Sequence, residues 1–364
     1  MAVAQTLSRN QSEIRPSRQR STTSRRTKVR CELLRPREYA QWDALVDLSP
    51  HGTVFHYSWW LEITADRFEI LVIRDGNGLL LGGIPLPRVR RSGLDLVHSP
   101  PLTPYLGPIF DLSGATNTCD RLYLMRSWGE VLARGIESFD SFRCIAGASA
   151  PDLQGFLWAG YRVQLAYTFR FPALCSVECV GAGMTRTHIQ KLTKAERLGV
   201  TVTYDQDLAV LVALNKMTFE RQGIIPGYSS DLVRGLWTAA HARGRAHIYV
   251  AQTQEGLPAA ALLTVSDNRT VYQIVSGLNW DLRDAQGGYL VLWRAIQDAL
   301  PAGFAFDFEG SALRGVETYY RRWGPVAFPV WRIEKSGTWR GALLQFLIRR
   351  RDAAAMNDAA PNPS

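Results

Sequence analysis

Two carboxylates, Asp307 and Glu309, lie two positions apart in the stretch FAFDFEG at 304–310. Side chains alternate along a strand, so Phe304, Phe306 and Phe308 take one face while both acids share the other with Ala305. Acids this close raise one another's pKa, which can hold a general base near neutrality. Pairing with Arg321, Arg322 or another cation is the competing reading. Tyr320 opens the run YRRWG at 320–324, and its phenol suits a proton donor toward a departing thiolate or a packed aromatic at a helix end. Gly287 and Gly288 follow Arg283 in the loop RDAQGG and open a helix. Free N–H groups and the helix dipole attract phosphate there, although a glycine pair is also ordinary helix punctuation. His188, Lys191, Lys194 and Arg197 recur in three-residue steps beside Ile189, Leu192, Ala195 and Leu198. That spacing gives a helix one basic edge, fit for a phosphorylated acceptor or donor or for solvent. Base, acid and anion site are what acyl transfer to an amine needs: a deprotonated nucleophile, a polarised carbonyl and a protonated leaving group.

The elements that position these groups form a series. Val271, Gln273 and Val275 alternate with Tyr272, Ile274 and Ser276, which predicts a strand. Leu290, Trp293, Ile296, Gln297 and Leu300 recur at helical spacing until Pro301 ends the run. A strand at 304–310, a helix at 311–324 and a strand at 325–335 follow. The first half has the same order: a strand at 28–34, helices after Pro36 and at 53–64, and a hairpin at 68–74 and 79–89 around DGNG. A strand at 94–98, the proline-rich SPPLTPYLGPIF, a helix at 119–139, a strand at 142–146, a helix at 151–159 and a strand at 161–171 complete it. A helix at 185–198 bridges to a strand at 200–204, helices at 208–222 and 230–242, and a meander at 247–253, 259–265 and 270–277. An internal repeat of about 160 residues predicts two mixed α/β layers, each with its own core. Aligning FLWAGYRV with YRRWGPVA sets Phe156 opposite Tyr320 and Gly160 opposite Gly324. Matching the strand at 142–146 to the acid-bearing strand sets Cys144 and Ala146 opposite Asp307 and Glu309. With neither hydroxyl nor acid at those places, the first copy is expected to shape the acceptor cleft and the second to carry catalysis.

A chain of 364 residues, 46% hydrophobic, suits two domains. The expected division is a disordered basic tail at 1–28, domains at 29–175 and 176–335, and a basic amphipathic helix and tail at 336–364. The net charge of +9 sits at the ends: eight basic residues oppose Glu13 alone within the first thirty. The body is near neutral, which argues against DNA gripped along a whole surface. The Arg- and Ser-rich leader fits a solvated tail, an organelle transit peptide or an arm for an anionic partner. Five cysteines form no disulfide framework and point to a reducing compartment. Cys175 and Cys179 lack the second pair of ligands a metal site needs, so no metal is expected. No apolar run reaches the ~18 residues of a spanning helix. TWRGALLQFLIRRR at 338–351 joins an apolar face to Arg349, Arg350 and Arg351, as in helices that lie on a membrane or dock on their own protein. A cytoplasmic location, peripheral to the inner membrane face, is the corresponding expectation.

The order strand, glycine loop, helix, strand, helix, strand resembles the acyl-donor half of the GNAT acyltransferase superfamily. YRRWG is similar to its helix tyrosine followed by a turn glycine and a final strand, and RDAQGG stands where the superfamily has its pyrophosphate loop. The duplication, SPHGTVFHYSWW, TPYLGP, the bridge HIQKLTKAERLGV, FDFEGS and YRRWG together resemble the Fem-type aminoacyltransferases and the GNAT-like proteins grouped with them, over most of residues 31–335. The resemblance implies tandem GNAT-like α/β folds with mixed sheets and acyl or aminoacyl transfer to an amine or hydroxyl of a cell-envelope or polysaccharide precursor. It implies donor contacts from Arg283, Gly287 and Gly288 and an acceptor cleft lined by Tyr105 and Gly107, to which the basic edge adds Lys191, Lys194 and Arg197 as expected acceptor contacts. Wall-building members insert a long helical arm. The bridge from Arg186 to Gly199 is too short for one, which favours acyl-CoA over aminoacyl-tRNA as donor. A non-catalytic binding module that keeps the fold is the rival reading.

Overall fold

The structure is a computed structural model that describes residues 29–204, 208–309 and 314–358. The expected tails at 1–28 and 359–364, and the residues that follow Glu309 in FDFEGS, lie outside the described residues. The first copy runs β1 (Arg30–Leu33), α1 (Tyr39–Leu48), α2 (Ser58–Thr64), β2 (Arg67–Arg74), β3 (Leu80–Arg91), β4 (Leu94–His98), β5 (Ile109–Phe110), α3 (Thr118–Gly135), β6 (Ser141–Ala146), α4 (Gln154–Trp158) and β7 (Arg162–Phe171). Helices α5 (Val177–Gly183) and α6 (Arg186–Arg197) form the bridge. The second copy runs β8 (Thr201–Tyr204), α7 (Leu208–Gln222), α8 (Ser230–His241), β9 (Ala246–Gln252), β10 (Pro258–Ser266), β11 (Thr270–Leu278), α9 (Gly287–Ala299), β12 (Ala305–Asp307), α10 (Arg314–Arg321) and β13 (Val326–Ser336), before α11 (Trp339–Asp358).

Local chemistry sets these boundaries. The β2–β3 hairpin closes because Asp75 Oδ1 accepts the N–H groups of Asn77 and Leu79 at 2.9 and 2.8 Å while Gly78 takes a φ of 87°. Asn117 caps α3 by accepting the N–H of Asp120, and Ser176 caps α5 through Cys179. The stretch FAFDFEG is a strand for three residues only.

Among the described residues thirteen strands form one sheet in the order β1-β2-β3-β4-β6-β13-β7-β12-β11-β10-β9-β8, with β5 beside β3. The pairs β4–β6 and β11–β12 are parallel. The copies exchange their last strands: β13 lies against β6, β7 lies against β12, and β7 and β13 pair antiparallel from Arg162↔Glu334 to Arg170↔Val326. One hydrophobic core serves the first copy around Trp128, Phe142 and Phe156. Another serves the second around Phe306, Phe308 and Trp323. A third joins Trp42, Phe55 and Trp60 to Leu214, Trp237 and Tyr272. Each such large side chain contributes about 1.5–3 kcal/mol on burial, so the shared core holds the copies together.

The exchange also fixes the register between copies. The offset that superposes Phe156 on Tyr320 and Gly160 on Gly324 carries Arg170 onto Glu334 and Arg143 onto Asp307. The cross-strand pairs Asp307↔Arg170 and Arg143↔Glu334 therefore correspond. The first-copy counterparts of Asp307 and Glu309 are Arg143 and Ile145, not Cys144 and Ala146. A slip of one residue had exchanged the two faces of the strand.

Gly160 and Gly324 end equivalent helices with φ of 80° and 83°. A Cβ on Gly160 meets nothing, whereas one on Gly324 meets the carbonyl carbon and oxygen of Gly183 at 2.7 and 2.5 Å. Gly160→Ala should therefore cost only the left-handed penalty of about 1–2 kcal/mol. Gly324→Ala should cost clearly more, because backbone must move. Paired thermal melts check this, and equal costs would contradict the close approach.

Candidate active site

Asp307, at the end of β12, is 1% exposed. Its Oδ1 accepts from Thr168 Oγ1 at 2.7 Å, Tyr105 Oη at 3.2 Å and the N–H of Glu309 at 2.7 Å. Oδ2 stands 3.4 Å from Arg170 Nε. Burial pushes the Asp307 pKa up, and Arg170 and the three donors pull against that rise. The bond to the Glu309 N–H accompanies a left-handed backbone at Glu309, with φ of 59°. A non-glycine residue held there is strained and persists only where its surroundings enforce it. The turned backbone ends the alternation of the strand, so the Glu309 side chain does not share Asp307's network. Its Oε1 is buried with no partner among the described residues. Burial first, and the Asp307 charge second, push the Glu309 pKa well up.

Tyr320 projects from α10 with its ring 5.0 Å from that of Phe308. Its phenol oxygen accepts from Gln273 Nε2 at 3.1 Å, which leaves the phenol hydrogen available. Burial and the Glu309 charge push its pKa up. Glu309, Tyr320, Gln273, Asn215, Tyr228 and Phe308 line a cavity of about 220 Å³. Asn215 Nδ2 donates to Tyr228 Oη at 3.2 Å and to the Ser276 carbonyl at 2.8 Å. Gln273 Oε1, like Glu309 Oε1, is buried without a partner among the described residues. Two unpaired acceptors beside a phenol form a site for a hydrogen-bond donor such as an amine.

The cavity opens where the sheet divides. Strands β11 and β12 pair only from Thr270↔Ala305 to Tyr272↔Asp307, after which β11 runs on to Leu278 without β12. Helix α9 begins near this opening, behind Gln286 in a left-handed conformation. A Cβ on Gly287 would stand 3.0 Å from those of Ala251 and Ala259, so this glycine lets the helix approach the sheet. Gly288 has ordinary room beside Leu278. Arg283 lies over the Trp280 ring and donates to its carbonyl at 3.1 Å.

The structure brings Asp307, Glu309 and Tyr320 together; of the expected acceptor residues Tyr105 reaches Asp307, whereas Lys191, Lys194 and Arg197 do not line the cavity. Tyr105 is buried between the copies, where it supports Asp307. Lys194 Nζ stands 3.8 Å from Asp284, beside the glycine loop expected to hold the donor. Lys191 shares that helix, and Arg197 donates to the Thr193 carbonyl. His188 is not part of a basic edge: its ring is buried among Tyr289, Tyr319 and Trp323, and burial lowers its pKa. Sequence reasoning missed Thr168, Arg170, Asn215, Tyr228 and Gln273. Alternation of Thr168 and Arg170 with Phe169 and Phe171 in β7 was the one signal that could have found the first two.

Residues 183–321 match the family model described as the acetyltransferase (GNAT) domain. That match covers most of the second copy, which therefore carries a GNAT acetyltransferase domain. Among solved structures, FemX superposes with a TM-score of 0.62 at 14% identity, over 83% of this chain and 96% of that one. The C-terminal domain of a putative lysylphosphatidylglycerol synthetase from Agrobacterium fabrum superposes with a TM-score of 0.51 at 10% identity, over 85% and 94%. A conserved protein of unknown function from Bacteroides thetaiotaomicron gives 0.51 at 9%, over 84% and 99%. The chain therefore has a Fem-like fold. No curated protein sequence matches it significantly.

Asp307→Ala removes the acceptor of three donors and leaves Arg170 charged and half of a broken pair. Loss of one partner of a buried pair costs about 3–5 kcal/mol. Chemical denaturation of the full chain should show a loss of that size, and a change within about 0.5 kcal/mol would show that the network carries no stability.

Proposed function

We propose that the protein transfers an acyl group from acyl-CoA to an amine of a cell-envelope or polysaccharide precursor, with Glu309 as general base and Tyr320 as general acid. The observation that carries the reading is the unpartnered Glu309 carboxylate oxygen in a cavity with Tyr320 where β11 and β12 part. The acceptor nitrogen enters between Glu309 and the free oxygen of Gln273 and gives its proton to Glu309 as it attacks the acyl carbonyl. When the carbon–sulfur bond breaks, the Tyr320 phenol protonates the departing thiolate. Raised pKa values suit both roles, since Glu309 then accepts a proton strongly and Tyr320 stays protonated until the sulfur leaves.

On the donor side, the α9 N–H groups behind Gly288 face a pyrophosphate, and Lys194 and Arg283 add charge. A short bridge helix with no long arm favours a thioester over aminoacyl-tRNA. The fold shared with a putative lysylphosphatidylglycerol synthetase domain supports an envelope acceptor. Helix α11 adds support for contact with the membrane surface: Trp339, Leu343, Phe346 and Leu347 are exposed on it beside Arg340 and Arg350. Among the described residues no helix is long and apolar enough to cross a membrane.

Glu309 works as a base only when ionised. Because its pKa is raised, kcat/KM should climb with pH well above the ordinary glutamate range. Glu309→Gln should flatten that limb and lower kcat/KM by about 10²–10⁴. Acetyl-CoA turnover with a panel of amines, followed by thiol release, is the assay. An unchanged pH profile in Glu309→Gln would remove the base assignment.

Gly288→Val fills space at the helix start without meeting backbone. It should weaken CoA binding by calorimetry while leaving the melting temperature nearly unchanged. Full CoA affinity in this variant would move the donor elsewhere.

A further inference from the structure

The first copy has a sheet opening of its own. Strands β4 and β6 pair only from Leu96↔Ser141 to His98↔Arg143, the counterpart of the division between β11 and β12. A cavity of about 580 Å³ lies there, walled by β4, β6 and the inner face of α11. Its charged lining is cationic: Arg91, Arg143 and Arg351 contribute, no Asp or Glu does, and His98 lines it as a neutral imidazole, its pKa lowered to about 4 by burial and by Arg143. Arg143 occupies the place that Asp307 holds in the second copy, and its pairing with Glu334 at 3.4 Å reverses the sense of Asp307 with Arg170. The Ser99 hydroxyl lines the cavity, buried and without a partner among the described residues. Leu94, Leu96, Leu344 and Ile348 supply an apolar wall.

Helix α11 is held over this cavity by specific bonds. Gln345 Nε2 donates to Ser141 Oγ at 3.0 Å and to the carbonyls of Phe142 and Lys335 at 3.2 and 2.9 Å. Ser336 and Arg349 donate to its Oε1. A buried amide this fully satisfied keeps the wall in place.

From the reversed charge, the absent carboxylates and the free hydroxyl, we propose that the first copy's opening is a second ligand site, which takes a phosphate-bearing molecule with an apolar portion. Arginines suit phosphate oxygens in paired geometry, and the hydroxyl of Ser99 donates one more bond. The inference stands on the first copy alone and does not require the acyl-transfer chemistry proposed for the second.

The test reads His98 directly. The full chain has six histidines, whose imidazole nitrogens are followed by NMR in the ¹⁵N-labelled protein, with His98 assigned by His98→Gln. Saturating inorganic pyrophosphate should shift the His98 signals, and Arg91→Glu with Arg351→Glu should abolish the shift while the melting temperature holds. In a second arm, monomeric dihexanoyl phosphatidylglycerol replaces pyrophosphate. A stronger response to the lipid identifies a lipid headgroup as the source, and a response to pyrophosphate alone identifies a soluble phosphate. Either supports the site. No shift from either probe, or a shift that survives the double substitution, overturns it, and pyrophosphate bound at α9 would leave His98 unmoved.

Discussion

A buried carboxylate costs several kcal/mol unless partners satisfy it, and in this protein the carboxylate whose partners bind the two copies together is Asp307. Its partners come from different parts of the chain: Thr168 and Arg170 from β7, Tyr105 from the proline-rich loop, and the N–H of Glu309 from the next turn. Three of those four belong to the first copy. The acid is therefore satisfied only when the copies are docked and the last strands exchanged. Assembly of the sheet and assembly of the site are one event, because the same side chain needs both.

The same carboxylate explains why its neighbour is unlike it. Two acids on one strand face would titrate as a coupled pair. Here the turn at Glu309 breaks the strand, so one acid is saturated and inward and the other keeps a free oxygen beside Tyr320. The environments of the two acids differ, since burial acts on both but among the described residues no donor reaches Glu309 Oε1. Positioning is proposed for Asp307, and proton transfer for Glu309.

How much of this the sequence made legible depended on range. Alternation and turn chemistry are local, so the elements from β2 to β4, α7, α8 and the meander lie where periodicity puts them. The acids and Tyr320 were found because they sit in short patterned runs. The strand exchange was not legible, since nothing local in β7 or β13 states which partner it will choose. From that one unread fact came the missing Thr168 and Arg170, and the one-residue slip that set Cys144 rather than Arg143 opposite Asp307. His188 misled for a related reason: its spacing matched the cations of α6, but Tyr289, Tyr319 and Trp323 close over it only in three dimensions. Neither Asn215 nor Gln273 carried a local mark, being single polar residues in ordinary helix and strand.

Duplication with exchange also constrains how the copies can diverge. A cation must stand across from each acid in the central strands, and the chain meets that demand twice with opposite signs: Asp307 with Arg170, and Arg143 with Glu334. In each pair the charged group on the penultimate strand comes from one copy and its neutralising partner from the other. Neither charge can change alone without stranding its partner in a nearly dry interior. The sign at each sheet opening is thus set jointly by both copies, one negative beside Glu309 and one positive beside Arg91 and Arg351. The first copy lacks the hydroxyl and the acid of the second, yet it is no mere spacer, because its own last strand supplies the arginine that makes the second copy's acid tolerable.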